Sequence, residues 1–122
     1  MLLITVLLPF SCVQETHMKV VTFKVDTTKI ENPSGIGLRG AFTEPPWGVT
    51  LPMTDDNEDG IYEITVRKKS AQNGVDFKFV IENDILELEG KNNRRIHFKY
   101  KPENITYSAN FDEEEGIQEI TK

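Results

Sequence analysis

The chain has 122 residues, 38% hydrophobic and 28% charged, which suffices for one domain with a working core and is too short for two. Its formal net charge of -6 disfavours a backbone-driven contact with DNA or RNA, because that affinity comes from lysines and arginines displacing phosphate counterions. A single cysteine excludes an intramolecular disulfide.

Residues 1–12, MLLITVLLPFSC, are apolar up to that cysteine. A spanning helix needs about 20 apolar residues, so this run is too short to cross a bilayer and reads as the hydrophobic part of a secretion signal. Leu8 to Cys12 resembles a bacterial lipoprotein signal, which implies that Cys12 is lipidated, that the residues before it are removed, and that the mature protein is secreted and held at a bacterial membrane or cell surface. No lysine or arginine precedes Cys12, and Pro9-Phe10 replaces the usual small residues. The alternative is an N-terminal strand with a buried thiol. Residues 13–17 form a polar tether, and residues 18–111 have the composition of a folded domain.

Lys19 to Val25 alternates, with Val21, Phe23 and Val25 on one face, and predicts a first strand. Loop residues 26–35 lead to a second strand over Ile36 to Phe42, whose two glycines suggest a bulge or close backbone approach. Thr43 to Gly48, TEPPWG, cannot be regular structure, since paired prolines remove donors and force the preceding residue to be extended. It is an exposed loop carrying the only tryptophan, Trp47.

Thr50 to Met53 is a short strand before the acidic turn Asp55 to Gly60, and Ile61 to Val66 follows with Tyr62, Ile64 and Val66 on one face. Asp55-x-Asn57-x-Asp59-Gly60 fits the first half of a calcium loop, but position twelve is Val66 instead of a bidentate glutamate and no helix follows. An acidic turn is the preferred reading, with Asp55, Asn57 and Asp59 as a weak metal candidate.

The polar turn Arg67 to Gly74 opens onto a hairpin, Val75 to Ile81 and Ile85 to Glu89, turning at Asn83-Asp84. If Phe77 and Phe79 enter the core, Lys78 lies on the outer face. Arg95 to Tyr100 and Ile105 to Phe111 complete the strands, and residues 112–122 read as a solvated acidic tail. No stretch keeps a 3.6-residue period, so the fold class is all-β: an antiparallel two-layer sandwich of seven or eight strands. Val21, Phe23, Leu38, Tyr62, Ile64, Phe77, Phe79, Ile96 and Phe98 are expected inside, and Lys78 outside.

Phe77-Lys78-Phe79, then Leu88-Glu89, three spacers and Asn93-Arg94, resembles the closing hairpin of starch-binding modules, the family-20 carbohydrate-binding modules and their family-48 relatives. In those modules the hairpin reads tyrosine-lysine-phenylalanine, tryptophan-glutamate, three residues, asparagine-arginine; here Leu88 stands at the tryptophan. Leu38 to Phe42 with Trp47 is similar to their leucine-glycine-aspartate/asparagine-tryptophan loop, with residues inserted. The likeness spans about residues 20–98.

It implies an immunoglobulin-like sandwich that binds an α-glucan or similar polysaccharide or oligosaccharide through Trp47, Lys78 and Asn93, with Arg94 or Tyr100 at the margin. Sugar rings stack their C–H faces on aromatic surfaces while their hydroxyls meet polar groups. Against this, Trp47 could plug one end of the core, and Asn93-Arg94 could satisfy turn backbone groups and a carboxylate such as Glu82 or Glu89.

No Ser-His or Cys-His arrangement can be built, since His17 sits in the tether and His97 alternates onto an outer face, so the expected protein is not an enzyme and needs no cofactor. Its expected contact with a membrane is through a lipid anchor alone. The rival reading is an accessory sandwich without sugar affinity, fused to or associated with a hydrolase, or a protein-interaction domain.

Overall fold

A computed structural model describes residues 15–121. Cys12, the leader and most of the tether lie outside these residues. Nine strands run in order: β1 (His17–Asp26), β2 (Gly37–Gly40), β3 (Leu51–Pro52), β4 (Ile61–Ser70), β5 (Gly74–Ile81), β6 (Ile85–Leu86), β7 (Arg94–His97), β8 (Glu103–Asn110) and β9 (Gly116–Ile120). They form a four-stranded sheet in the order β4-β1-β8-β9 and a five-stranded sheet in the order β3-β2-β5-β6, with β7 also paired to β5. The described residues contain no helix, so the fold is the expected all-β two-layer sandwich.

Period-2 patterning builds the core. On β1 the buried positions are Lys19, Val21, Phe23 and Val25, and on β5 Phe77 and Phe79 are completely buried. Phe77 sits at the centre, its ring edge-on to Phe23 at 4.8 Å, Phe79 at 5.6 Å and Tyr107 at 5.0 Å. Leu38, Ile96 and Ile105 fill the space around it. Each such side chain contributes about 1.5–3 kcal/mol by leaving water. Tyr62, Ile64 and Phe98 pack against this cluster while remaining partly open to solvent.

Three departures from the sequence reading have physical causes. β1 pairs with β8 in parallel, Val21 opposite Ile105 and Phe23 opposite Tyr107, so the sandwich is not wholly antiparallel. Residues 112–122 are not simply a tail, because residues after the acidic turn form β9 against β8, from Ala109 opposite Gly116 to Ile105 opposite Ile120. Lys78 does lie between two core phenylalanines on the outer face, yet it is only 8% exposed. The chain after β6 folds across it, and the carbonyls of Leu88 and Lys91 accept from its Nζ at 2.9 and 3.1 Å.

The register sorts the loops into two ends. His17 lies opposite Ser70, Lys19 opposite Glu103, Gly74 opposite His97, and Gly40 opposite Phe77. One end therefore gathers the 71–73 hairpin, the loop with Trp47 and the segment 98–102. The other gathers loops 27–36, 55–60, 82–84 and 111–115, tied by Thr27 N–H to Gly60 O at 2.9 Å and Glu82 N–H to Ser34 O at 2.8 Å.

Candidate glycan-binding face

Trp47 is held by its backbone. The carbonyl of Gly40, the last residue of β2, accepts from Trp47 N at 2.9 Å and from Thr43 Oγ1 at 3.2 Å, and Thr43 Oγ1 also reaches Pro45 O at 2.8 Å. Trp47 adopts φ 62, a left-handed conformation that costs a non-glycine residue about 1–2 kcal/mol and persists only where the surroundings impose it. The side chain is half-buried, neither sealed as a core plug nor fully exposed.

Cross-strand pairing fixes what lies beside the strand from which its loop springs. Arg39 is opposite Lys78, and the β5–β7 ladder ends at Phe77 opposite Arg94, with Asn93 the residue just before it. Arg39 and Lys78 thus lie in one row across the outer face of the five-stranded sheet, and the loop of Trp47 leaves the sheet at Gly40, one residue beyond Arg39. Arg39 Nε donates to Thr50 Oγ1 at 2.6 Å, which locks one end of the row. Lys78 uses two of its three N–H groups on Leu88 and Lys91 carbonyls, and Asn93 is exposed.

Arg94 does not join them. It points inward with Ile96, 4% exposed, and its Nε and Nη2 pair with the two oxygens of Glu87 at 2.6 and 2.8 Å. Tyr107 and the carbonyls of Asn110, Glu113 and Glu115 take its other N–H groups. Burial pushes the Arg94 pKa down, and the hydrogen bonds and charge of Glu87, helped by Tyr107, outweigh this and hold it above its ordinary value. Its assignment as a sugar contact gives way to a structural one, with Glu87 as the partner in place of Glu82 or Glu89. Glu87 also accepts from the backbone of Phe79 at 2.7 Å and Asp112 at 2.9 Å, so both carboxylate oxygens are fully engaged.

Leu88, at the position of the family's tryptophan, is 2% exposed with φ 54, so no aromatic platform stands there. The acidic turn is equally self-contained. Asp55 accepts from the backbone of Asp59 at 3.1 Å and Gly60 at 2.9 Å, and Asp59 accepts from Ile61 N at 2.9 Å and from Asn57 Nδ2 at 3.2 Å. Asp55 and Asp59 therefore spend oxygens on the turn and Asn57 donates its amide to Asp59, and no group of three His, Cys, Asp or Glu side chains that could hold a metal occurs among the described residues.

Sequence reasoning missed a cleft of about 560 Å³ at the hairpin end. Ala41 and Phe42, at the root of the Trp47 loop, form one wall; Val75, Asp76 and Arg95 another; Phe98 and the 70–72 segment close the end. Beside it Tyr100 is 68% exposed, its ring edge-on to His17 at 4.5 Å. A smaller hollow of about 100 Å³ lies between Tyr100 and the 70–73 segment, sharing Phe98 with the cleft.

No protein-family model and no curated protein matches the chain. Among solved structures, the chain is similar to the CBM25-1 domain of the beta/alpha-amylase from Paenibacillus polymyxa, at 19% identity and a TM-score of 0.48 over 86% of this chain and 94% of that one. At that distance the likeness bears on neither ligand nor site.

Proposed function

We propose that this domain is a non-catalytic glycan-binding module that takes an α-glucan or similar chain on the outer face of its five-stranded sheet. The observation that carries the reading is Trp47, half-buried in a strained loop that the carbonyl of Gly40 clamps, at the end of the strand whose Arg39 lies opposite Lys78. Trp47 supplies the stacking surface, exposed Asn93 the hydroxyl contacts, and Lys78 its remaining N–H. The starch-module spacing of Phe77 to Asn93 supports the same assignment. With one aromatic face and a shallow site, the expected dissociation constant is about 0.1–1 mM, equivalent to about 4–5.5 kcal/mol. The module is secreted and anchored through lipidated Cys12, and Cys12→Ala is expected to release it from membranes.

Titration with maltoheptaose or β-cyclodextrin, followed through the single tryptophan's fluorescence, tests the reading. Trp47→Ala is expected to abolish binding and leave the fold intact, whereas loss of a core plug would cost about 3–5 kcal/mol of stability. No fluorescence change with sugar, together with a large loss of stability in Trp47→Ala, would overturn it. The rival, an accessory sandwich without sugar affinity, draws on one observation: the Lys78 ammonium is tied to Leu88 and Lys91 carbonyls.

A further inference from the structure

The charges of this acidic chain are segregated by end. Acidic residues of loops 55–60, 82–84 and 112–115 collect at one end, where Lys29 reaches Glu113 at 3.4 Å. The hairpin end holds Arg67, Lys68, Lys69, Lys99 and Lys101, and none of these is in an ion pair among the described residues.

The one carboxylate that lines the cleft is already matched, and Glu44, in the Trp47 loop, is exposed and outside any ion pair among the described residues. Asp76, on its wall, pairs with Arg95 at 2.9 Å, and Glu103 pairs with buried Lys19 at 2.7 Å. Lys19 spends its other N–H groups on the carbonyls of Lys99 and Lys101, at 2.7 and 2.6 Å. Lys68 lies opposite Lys19 in register, lines the cleft, and makes one bond, to Phe42 O at 2.9 Å. Two of its three N–H groups are left for a ligand. The cleft thus has room for a substituted sugar unit, aromatic and aliphatic walls, Gln72 in its lining, and at Lys68 a positive charge outside any ion pair among the described residues.

From this juxtaposition we infer that the cleft is a subsite for a glycan unit carrying an anionic substituent, a carboxylate or a phosphate, and that the preferred ligand is an acidic chain running from Trp47 past Lys68 toward Tyr100. This rests on the glycan-binding reading and narrows its ligand class. The polysaccharide C–H faces stack on Trp47 and Tyr100, and the anion displaces water from Lys68. A charge-assisted contact of this kind is stronger than a neutral one and weakens with salt.

The test compares three oligosaccharides of equal length by calorimetry and amide chemical shifts: maltoheptaose, its phosphorylated counterpart and a uronate oligomer. Binding of at least one acidic chain about tenfold tighter than maltoheptaose in about 20 mM salt, falling toward equality near 500 mM, is the expected result. Shifts should reach Gln72 and Asn73 with the acidic chain. Lys68→Gln should remove the preference, Lys29→Gln at the acidic end should retain it, and melting both variants separates binding from folding. Which acidic chain is preferred identifies the substituent.

Maltoheptaose bound through Trp47 with no gain from either acid would overturn the subsite and leave the glycan-binding reading standing. An acidic chain bound and lost in Lys68→Gln, without measurable maltoheptaose binding, would support the subsite and overturn a neutral α-glucan as ligand. No binding of any of the three would overturn both.

Discussion

The guanidinium of Arg94 lies between the sheets with its N–H groups directed at Glu87, Tyr107 and three carbonyls. Removing it leaves the Glu87 carboxylate buried with only two backbone donors, from Phe79 and Asp112. Arg94→Ala is therefore expected to lower unfolding free energy by about 3–5 kcal/mol in urea denaturation, and a loss below about 1 kcal/mol would contradict the role assigned here. The inward placement was legible in the alternation of Arg94, Ile96 and Phe98, but the motif match drew the residue outward. Lys19 carries the same lesson: it keeps phase with Val21, Phe23 and Val25, and its ammonium meets Glu103 and two carbonyls inside. Phase sets the face of a side chain. Whether that face is covered depends on distant chain, which is why Lys78 lies on the expected face yet beneath the Leu88–Lys91 segment.

At the scale of elements, the patterning anticipated every strand except β9. β1, β4, β5 and β8 each carry at least eight residues with period-2 patterning, enough to fix type and face. β9 carries five residues, all exposed, behind an acidic turn, so nothing in its composition separates it from a tail. Its order comes from β8 and from Gln118, whose amide donates to His97 O at 2.7 Å and accepts from His97 N at 2.9 Å, closing the free edge of β7. At its start, an added Cβ on Gly116 would overlap the Tyr107 hydroxyl, which also receives Arg94. Gly116→Ala is expected to cost about 1–3 kcal/mol by overpacking, and to speed hydrogen exchange in β9 ahead of the core strands. Unchanged exchange across residues 116–120 would show that Tyr107 moves aside freely.

For the molecule as a whole, periodicity cannot name strand partners. The parallel β1–β8 pair, the two-ended distribution of charge and the cleft all follow from register, which no single segment encodes. The acidic end nevertheless makes one global prediction. Asp26 is held below its ordinary value near 3.8 by hydrogen bonds from the hydroxyl and amide of Thr28, at 2.6 and 2.8 Å. Asp59 is lowered chiefly by the amide of Ile61, with burial acting in the opposite direction. Each binds fewer protons in the folded chain than in the unfolded one, so its stabilisation is present above the unfolded pKa of about 3.9 and is lost as pH falls through the lowered folded value. The melting temperature should therefore drop on acidification from about pH 5 to about pH 3, over the range in which carboxylates titrate. Asp26→Asn keeps a side-chain oxygen for Thr28 but cannot titrate, and Asp59→Asn does the same for Ile61. The double variant should start lower at pH 7, since a charged acceptor holds these N–H groups more strongly than an amide. Across the same range it should lose less. An equal fall in the wild type and the double variant would assign the acid sensitivity to other carboxylates.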